Sequence, residues 1–362
     1  MAEATYPFSP EYAVPPGETL REALEYEGMS QAELAQRTDL SAKHINELVN
    51  AKAPISVDTA LRLERVLRIP ASLWLSLEAG YREQLLREAE RARLGDEAKH
   101  VGEFPYAALV KAGVVRHVSA PEERAAELLR FFGVHSLSGL REVYPAALSV
   151  SGRRRPSPGA LMAWLRMGEL EARELEADPF DLSRLRARTD ELRGLSLQPP
   201  EEAAERLRTL LAACGVLLVH VPHLPRTYAH GATRWLGSRP LVQLTVRGKW
   251  EDVFWFSLCH ELGHIVREHS RKAVFIAWDG GGGEDELERE ADQYAADVLV
   301  PPREYGEFAA GGAFAEGKVR RFAAHIGVCP GVVVGRLQQD GLLPHTHLNQ
   351  LRRKLPSFGA PE

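Results

Sequence analysis

His260-Glu261-Leu262-Gly263-His264 places two imidazoles four residues apart, with an acidic residue directly after the first. In an α-helix, positions i and i+4 lie on the same face, so both rings can reach one metal ion while Glu261 points beside it. Zinc binds neutral histidine nitrogens and carboxylate oxygens, and a catalytic zinc site uses three protein ligands. The pentapeptide supplies two of these, His260 and His264, so a third must come from elsewhere in the chain.

The pentapeptide lies in a segment with helical spacing. Between Trp250 and Glu268 the apolar residues recur at intervals of three and four, and no proline interrupts them. This pattern predicts a buried helix that carries both histidines on one face.

A second, acidic helix is the expected source of the third ligand. It follows the glycine run Gly280–Gly283 and ends at the proline pair after Val300. Within it Glu288 and Asp292 stand at i and i+4, so one carboxylate can bind the metal while the other accepts the free ring N–H of a histidine. Glu290 is the rival third ligand, although it lies on a different face from Asp292. The sequence leaves the choice between the two glutamates open.

These residues carry a family resemblance over roughly residues 200–345. His-Glu-Leu-Gly-His, followed by Glu-x-x-Ala-Asp-x-Tyr-Ala and Leu-Val-Pro, resembles the ImmA/IrrE family of metallopeptidases, although that family more often has Asn and Phe in place of Asp292 and Tyr294. The resemblance implies a gluzincin-like domain that cleaves helix-turn-helix repressors in the cytosol. Its cofactor would be zinc, with manganese as the alternative. Glu261 would take a proton from the metal-activated water and pass it to the leaving amine.

A small sheet is predicted upstream of the metal-binding segment. The apolar run Val216–Val219 indicates a buried strand, and two further strands, 231–236 and 241–246, flank a turn at Gly237–Pro240. An exposed edge of this hairpin beside the metal would suit an extended peptide. Alternatively, the sheet only supports the helix.

The amino-terminal region has the local signals of a helix-turn-helix. Five short helical stretches run from Gly17 to Ala79. Ser30, with Glu33 three residues later, indicates a capping box at the start of the second helix. Ser41 caps the next helix, and we expect the segment Ala42–Asn50 to be the DNA-reading helix.

This region, from about Pro16 to Arg82, resembles Xre-type repressors, and within them the HigA kind of antitoxin. The resemblance rests on Pro-Gly-Glu-Thr-Leu-Arg-Glu, Ser-Gln-Ala-Glu-Leu-Ala and Pro-Ile-Ser-Val-Asp-Thr-Ala-Leu-Arg-Leu. It implies operator DNA and a toxin partner. The residues expected to contact phosphates are Gln31 and Ser41, and those expected to face base edges are Lys43, His44, Asn46 and Glu47.

The charge of this module does not by itself favour DNA. Between Gly17 and Glu78 there are ten acidic and seven basic residues, whereas modules that bind phosphates usually carry excess positive charge. DNA binding therefore calls for a dimer, and a module that binds protein instead is the alternative.

Composition and spacing set the domain organisation. The 362 residues suggest two or three domains, with a net charge of −5. We expect an N-terminal arm (1–15), the helix-turn-helix domain (16–82), a helical connecting region (83–200), the metallopeptidase-like domain with a helix-turn-helix-like end (201–345) and a C-terminal tail (346–362). The predicted fold is mainly α with a small β-sheet, an α+β class. The helix-turn-helix-like end is expected to be a structural cap.

Cysteine spacing and hydropathy indicate the cellular compartment in which we expect the protein. Cys214, Cys259 and Cys329 lie far apart without CxxC spacing, which argues against a disulfide framework and a cysteine zinc site. No stretch is long and apolar enough to span a bilayer, and no signal peptide is evident. We expect a cytoplasmic protein that has no membrane partner.

Two functional hypotheses follow. In the first, the chain is a zinc-dependent endopeptidase-type transcriptional regulator that cleaves a helix-turn-helix repressor, or itself. In the second, it is a DNA-binding antitoxin or repressor whose metallopeptidase domain acts as a sensor without proteolysis. The presence of Glu261 favours the first, since a sensor needs ligands but no base.

Overall fold

The computed structural model describes residues 14–145, 156–245, 250–278 and 286–355. The chain divides into two compact units, residues 1–96 and 97–362. Five expected features fall at least partly outside the described residues: the N-terminal arm up to residue 13, residues 146–155 of the connecting region, residue 246 of the second hairpin strand, the glycine run Gly280–Gly283, and the C-terminal tail beyond residue 355.

The described part of the first unit is built from five helices, as the sequence predicts. They are α1 (Pro16–Glu27), α2 (Gln31–Thr38), α3 (Ala42–Val49), α4 (Val57–Leu67) and α5 (Ala71–Glu97), the last of which ends at the boundary between the units. Leu34, Ile45 and Leu48 are at most 1% exposed, so they fill the core between α2 and α3. Their apolar contacts hold the helix-turn-helix together.

Both predicted N-caps of the helix-turn-helix are present. Ser30 accepts a hydrogen bond from the Glu33 backbone N–H at 3.1 Å, and Ser41 accepts one from the His44 N–H at 3.1 Å. The carboxylate of Glu33 binds Arg37 at 2.5 Å. The Glu33 carboxylate therefore binds a side chain one turn further along α2. Of the two hydrogen bonds of a capping box, the structure shows the one that Ser30 accepts.

In the described part of the second unit, the helices surround a four-stranded sheet. The helices are α6 (Tyr106–Lys111), α7 (Pro121–Phe132), α8 (Leu140–Val143), α9 (Pro158–Arg173), α10 (Leu182–Ala187), α11 (Thr189–Gly194), α12 (Pro200–Ala213), α13 (Glu251–Val266), α14 (Glu286–Leu299), α15 (Pro302–Ala310), α16 (Glu316–Ile326) and α17 (Pro330–Gln339). The strands are β1 (Leu217–His220), β2 (Ala229–Leu236), β3 (Arg239–Leu244) and β4 (Phe275–Trp278).

The sheet has the strand order β1-β3-β2-β4. β2 and β3 form the predicted antiparallel hairpin, in which Leu236 pairs with Arg239 across a two-residue turn. Gly237 has φ +63°, the left-handed conformation that such turns require. The expectation of an exposed hairpin edge was wrong, because β1 pairs in parallel with β3 and β4 pairs with β2. In the described part of the chain, β4 is instead the outer strand beside β2.

One helix organises the second unit. α13 is buried along almost its whole length and packs on β2, β3, α14 and α17. Most of α17 is buried too, and it follows a turn at Gly327 with φ +74°. The second helix of the helix-turn-helix-like end, α17, therefore packs into the core around α13. As a result α17 has no broad exposed face.

The architecture confirms the predicted class, mainly α with a small β-sheet. Among the described residues, no helix combines the length and apolar character that crossing a membrane requires.

Gly17 provides a test of packing in the first unit. A Cβ added at Gly17 would lie 2.4 Å from the Val49 carbonyl oxygen and 2.5 Å from that of Leu48, so Gly17→Ala must separate α1 from α3. We expect a loss of about 1–3 kcal/mol in the free energy of unfolding, measured by urea denaturation followed by circular dichroism.

Gly80→Ala is the matched control, because a Cβ at Gly80 meets no described atom within 4 Å. In the interior of α5 this change should stabilise the helix by about 0.5–1 kcal/mol. Equal effects from the two substitutions would contradict the close contact between α1 and α3.

Candidate metal centre

The site forms where α13 crosses α14. A Cβ on Gly263 would lie 3.0 Å from the Cα of Ala291 and 3.2 Å from its carbonyl oxygen, so these two small residues let the helix backbones approach closely. His260 faces Asp292 and His264 faces Glu288, which means that the helices run antiparallel. The acidic side chains of α14 are thereby brought onto the histidine face of α13.

Three of the predicted ligands converge at this crossing. His260, His264 and Glu288 offer ligand atoms that all lie within 4.8 Å of one another. The His260 Nε2 is 3.2 Å from the His264 Nε2 and 3.1 Å from Glu288 Oε2, and the His264 Nε2 is 3.7 Å from Glu288 Oε1. Tetrahedral zinc with bonds of about 2.0–2.1 Å places its ligand atoms roughly 3.3 Å apart. The residues therefore fit a zinc ion in both chemistry and spacing.

Each histidine has a partner on its other ring nitrogen. Asp292 Oδ1 lies 2.8 Å from His260 Nδ1. His264 Nδ1 lies 2.9 Å from the Nδ1 of His269. Glu290 lies 3.1 Å from the Nε2 of His269 and takes no part in the cluster. This geometry favours Glu288 over Glu290 as the third member of the cluster.

The two clustered imidazoles respond differently to their surroundings. Burial by itself lowers the pKa of His260, but the hydrogen bonds with Asp292 and Glu288 outweigh it and raise the pKa to about 10. Burial, together with the charges of His260 and His269, lowers the pKa of His264 to about 2. At neutral pH without a metal, His260 is therefore charged and His264 is neutral. Since zinc binds neutral imidazoles, the extra proton of His260 must leave when the metal binds, and binding is favoured as the pH rises.

Glu261 is completely buried against β2. The Thr233 hydroxyl lies 2.6 Å from Glu261 Oε2, close enough to donate to it, and 2.9 Å from the Glu261 carbonyl oxygen. A Cβ on Gly231 would lie 2.4 Å from Glu261 Oε1, so glycine makes room for the carboxylate. Burial raises the pKa of Glu261 to about 7, while the charge of His260 and the hydrogen bond from Thr233 oppose the rise. A carboxyl with this pKa suits proton transfer near neutrality.

The sequence-predicted DNA contacts lie on α2 and α3, apart from Ser41, which caps α3. The side chains of Gln31 and Asn46 meet across the turn, with the Asn46 Nδ2 donating to Gln31 Oε1 at 3.4 Å. Ser41 is used as the N-cap of α3. Lys43 is exposed, and both Lys43 and the half-buried His44 approach Glu47, at 3.8 and 4.0 Å.

Sequence reasoning missed three residues around the cluster. Thr233 lies on the predicted hairpin, but nothing in the sequence indicates that its hydroxyl faces Glu261. His269 follows His264 by five residues, beyond the end of α13, and so has no helical register with it. Phe275 of β4 stacks on His264 with ring centroids 4.2 Å apart. The close spacing of His264 and His269 was the one available signal.

Similarities to known proteins cover both ends of the chain. Virulence-associated protein I of Dichelobacter nodosus is 41% identical over 70 residues, which is 19% of this chain and 65% of that protein. Virulence-associated protein A of the same organism is 39% identical over 59 residues, which is 16% of this chain and 58% of that protein. The chain thus spans less than two thirds of the length of these relatives.

Two solved structures are also similar. An addiction module antidote protein of a HigA family from Coxiella burnetii is 26% identical, with 23% of this chain and 92% of that chain covered and a TM-score of 0.22. PA4674 from Pseudomonas aeruginosa, solved in complex with its operator DNA, is 34% identical, with 22% and 85% covered and a TM-score of 0.21.

Two family models match separate segments of the chain. Residues 20–74 match a model described as helix-turn-helix, which covers α2 and α3. Residues 228–338 match a peptidase-family model described as an IrrE N-terminal-like domain, which covers the cluster of His260, His264 and Glu288. The chain therefore contains a helix-turn-helix domain and, separately, a domain of the IrrE-like peptidase family.

Proposed function

We propose that the chain is a zinc-dependent endopeptidase-type transcriptional regulator that cleaves a helix-turn-helix repressor, or itself, to control gene expression. The observation that carries the proposal is the convergence of two imidazoles and one carboxylate within 4.8 Å, with Glu261 next to the first histidine in sequence. Three ligands and an adjacent acid are the set that metal-assisted hydrolysis requires. The match of residues 228–338 to a peptidase family supports the same reading.

In this proposal His260, His264 and Glu288 hold the ion, and Asp292 orients His260. The contact of 2.8 Å between Asp292 Oδ1 and His260 Nδ1 supports the second role, because it leaves the His260 Nε2 facing the other two ligands. Mixed nitrogen and oxygen ligands suit zinc, and manganese is the alternative.

Glu261 is the proposed general base. A bound zinc ion supplies Lewis-acid chemistry, since it polarises the peptide carbonyl and lowers the pKa of a water molecule. Glu261 takes the proton of the attacking water and then gives it to the leaving amine. Its Oε2 is held by Thr233, whereas its Oε1 has no hydrogen-bond partner among the residues that the structure describes. Oε1 is therefore the oxygen available for proton transfer.

The helix-turn-helix domain directs the proposed regulator to operator DNA. Its family model supports this role, and Lys43 and Asn46 are exposed on α3 where a reading helix needs them. Because acidic residues outnumber basic ones between Gly17 and Glu78, we propose that binding requires a homodimer, which doubles the phosphate contacts.

The match of residues 20–74 to a helix-turn-helix model also supports a second function. In it the chain is an antitoxin or repressor with a toxin partner, and the metal domain senses without cutting. The first function predicts proteolytic activity and the second does not, so a test of proteolysis distinguishes them.

The purified chain loaded with zinc, and in parallel with manganese, should cleave a purified helix-turn-helix repressor or itself, as detected by intact-mass spectrometry. Glu261→Gln should reduce the rate by at least about a hundredfold, because it removes the proton acceptor. The control is that this variant still binds one equivalent of metal. If the wild type and Glu261→Gln leave every protein equally intact, the sensor function replaces the peptidase function.

The ligand assignment has a paired test. Glu288→Ala should abolish binding of one equivalent of zinc, measured by inductively coupled plasma mass spectrometry after gel filtration, because it removes a member of the cluster. Glu290→Ala should still bind one equivalent, if less tightly than the wild type, since Glu290 contacts His269 and not the cluster. The opposite result for these two glutamates would exchange their roles.

Substitutions on α3 test DNA binding in a gel-shift assay with the promoter of the gene that encodes the chain. Asn46→Ala should weaken binding by about 1–3 kcal/mol if Asn46 reads a base edge. Lys43→Ala should weaken it and also reduce its salt dependence if Lys43 neutralises a phosphate. Lys111→Ala, an exposed lysine of the second unit, is the control and should change nothing. If both α3 variants bind the DNA as tightly as the wild type does, α3 is not the helix that reads the operator.

A further inference from the structure

A row of three polar side chains leads away from the metal centre on the side of His264. His264 Nδ1 lies 2.9 Å from His269 Nδ1, and the opposite nitrogen of His269, Nε2, lies 3.1 Å from Glu290 Oε2. His264 and His269 are 2% and 7% exposed, whereas Glu290 is half-exposed. The row therefore runs from the buried centre to the protein surface.

The local fold holds His269 in place. The backbone N–H of His269 donates to the His264 carbonyl at 3.0 Å, closing the turn that ends α13. Glu268, at this turn, has φ +57°, the left-handed conformation that commonly terminates helices. Phe275 stacks on His264 and makes a tilted contact with His269 at 5.7 Å between centroids. Both rings are thus fixed by backbone and aromatic contacts.

The protons on this row can be assigned from the chemistry of imidazole. A neutral imidazole carries one N–H, and a ring that gives its Nε2 lone pair to a metal must carry that proton on Nδ1. His264 Nδ1–H then donates to His269 Nδ1, which must accept. The one proton of neutral His269 consequently lies on Nε2, where it donates to the Glu290 carboxylate. This single arrangement of protons gives His264, His269 and Glu290 a hydrogen bond at each contact of the row.

We propose that His269 and Glu290 are positioning residues that hold His264 in the tautomer and orientation that bind the metal. This inference rests on the proposed metal site but not on proteolysis. It also gives Glu290 a role distinct from that of a ligand. The two ligating histidines are then supported unequally: His260 by the carboxylate of Asp292 directly, and His264 by a carboxylate acting through a second imidazole. Partners of this kind typically change metal affinity by about 10–100-fold.

The test measures the dissociation constant of zinc by competition with a chromophoric chelator. His269→Leu removes the acceptor and should weaken zinc binding by about 10–100-fold. His269→Asn should restore most of this loss, because the Asn Oδ1 branches from the same position as the His Nδ1 and can accept the His264 proton. Glu290→Gln should weaken binding by less than His269→Leu does. Glu286→Gln, an exposed acid one turn earlier on α14, is the charge-matched control.

A spectroscopic readout separates positioning from folding. The visible spectrum of the cobalt-substituted chain should shift in His269→Leu and return towards that of the wild type in His269→Asn, with melting curves recorded for each variant. Since Glu290 is half-exposed, Glu290→Gln tests the row even where His269→Leu fails to fold. Equal losses in His269→Leu and His269→Asn, or equal losses in Glu290→Gln and Glu286→Gln, would overturn the proposal.

The outcomes also separate this inference from the proposed function. If the variants change zinc affinity as expected but the wild-type chain cleaves no protein, the row is supported and the proposed peptidase activity is not. Cleavage that depends on Glu261, with zinc affinity unaltered by His269→Leu, would support the activity and overturn the row. A wild-type chain that binds neither zinc nor cobalt would overturn both the metal site and the row.

Discussion

The close approach of α13 and α14 is the constraint on which the candidate site depends. Gly263 stands inside the histidine pentapeptide, and its missing side chain lets the backbone of α13 come within contact distance of Ala291. A larger residue at either position would push the helices apart. Ligand atoms 3.1–3.7 Å apart tolerate little such movement, because metal–ligand bonds vary by only a few tenths of an ångström.

Around this crossing, the unit supplies a supporting partner to each of Glu261, His260 and His264. β2 contributes Thr233 to Glu261, α14 contributes Asp292 to His260, and the turn after α13 contributes His269 to His264. α17 also packs on α13, so the helix that carries the pentapeptide is enclosed by packed elements. Rigid surroundings of this kind are what a preorganised metal centre needs.

The helix-turn-helix domain and the peptidase-family domain lie in different compact units. The first matches the helix-turn-helix model, and the second carries the cluster of His260, His264 and Glu288. Their presence in one chain is what makes a proteolytic regulator the proposed function. Because acidic residues outnumber basic ones between Gly17 and Glu78, the proposed DNA binding depends on how charge is distributed over the proposed dimer and not on the total charge of one copy.

The sequence by itself predicted the helices of the first unit, the caps at Ser30 and Ser41, and the two helices that carry the candidate metal-binding residues. Periodicity and spacing are local properties, so Ser30, Ser41 and the i, i+4 pairs on α13 and α14 could be read directly. Only the tertiary structure decided which residues meet. The strand order covered the hairpin edge, the helix crossing brought Glu288 and not Glu290 to the histidines, and packing placed Thr233 and His269 behind Glu261 and His264. These contacts join residues from separate elements, and their positions follow from packing that no local pattern encodes.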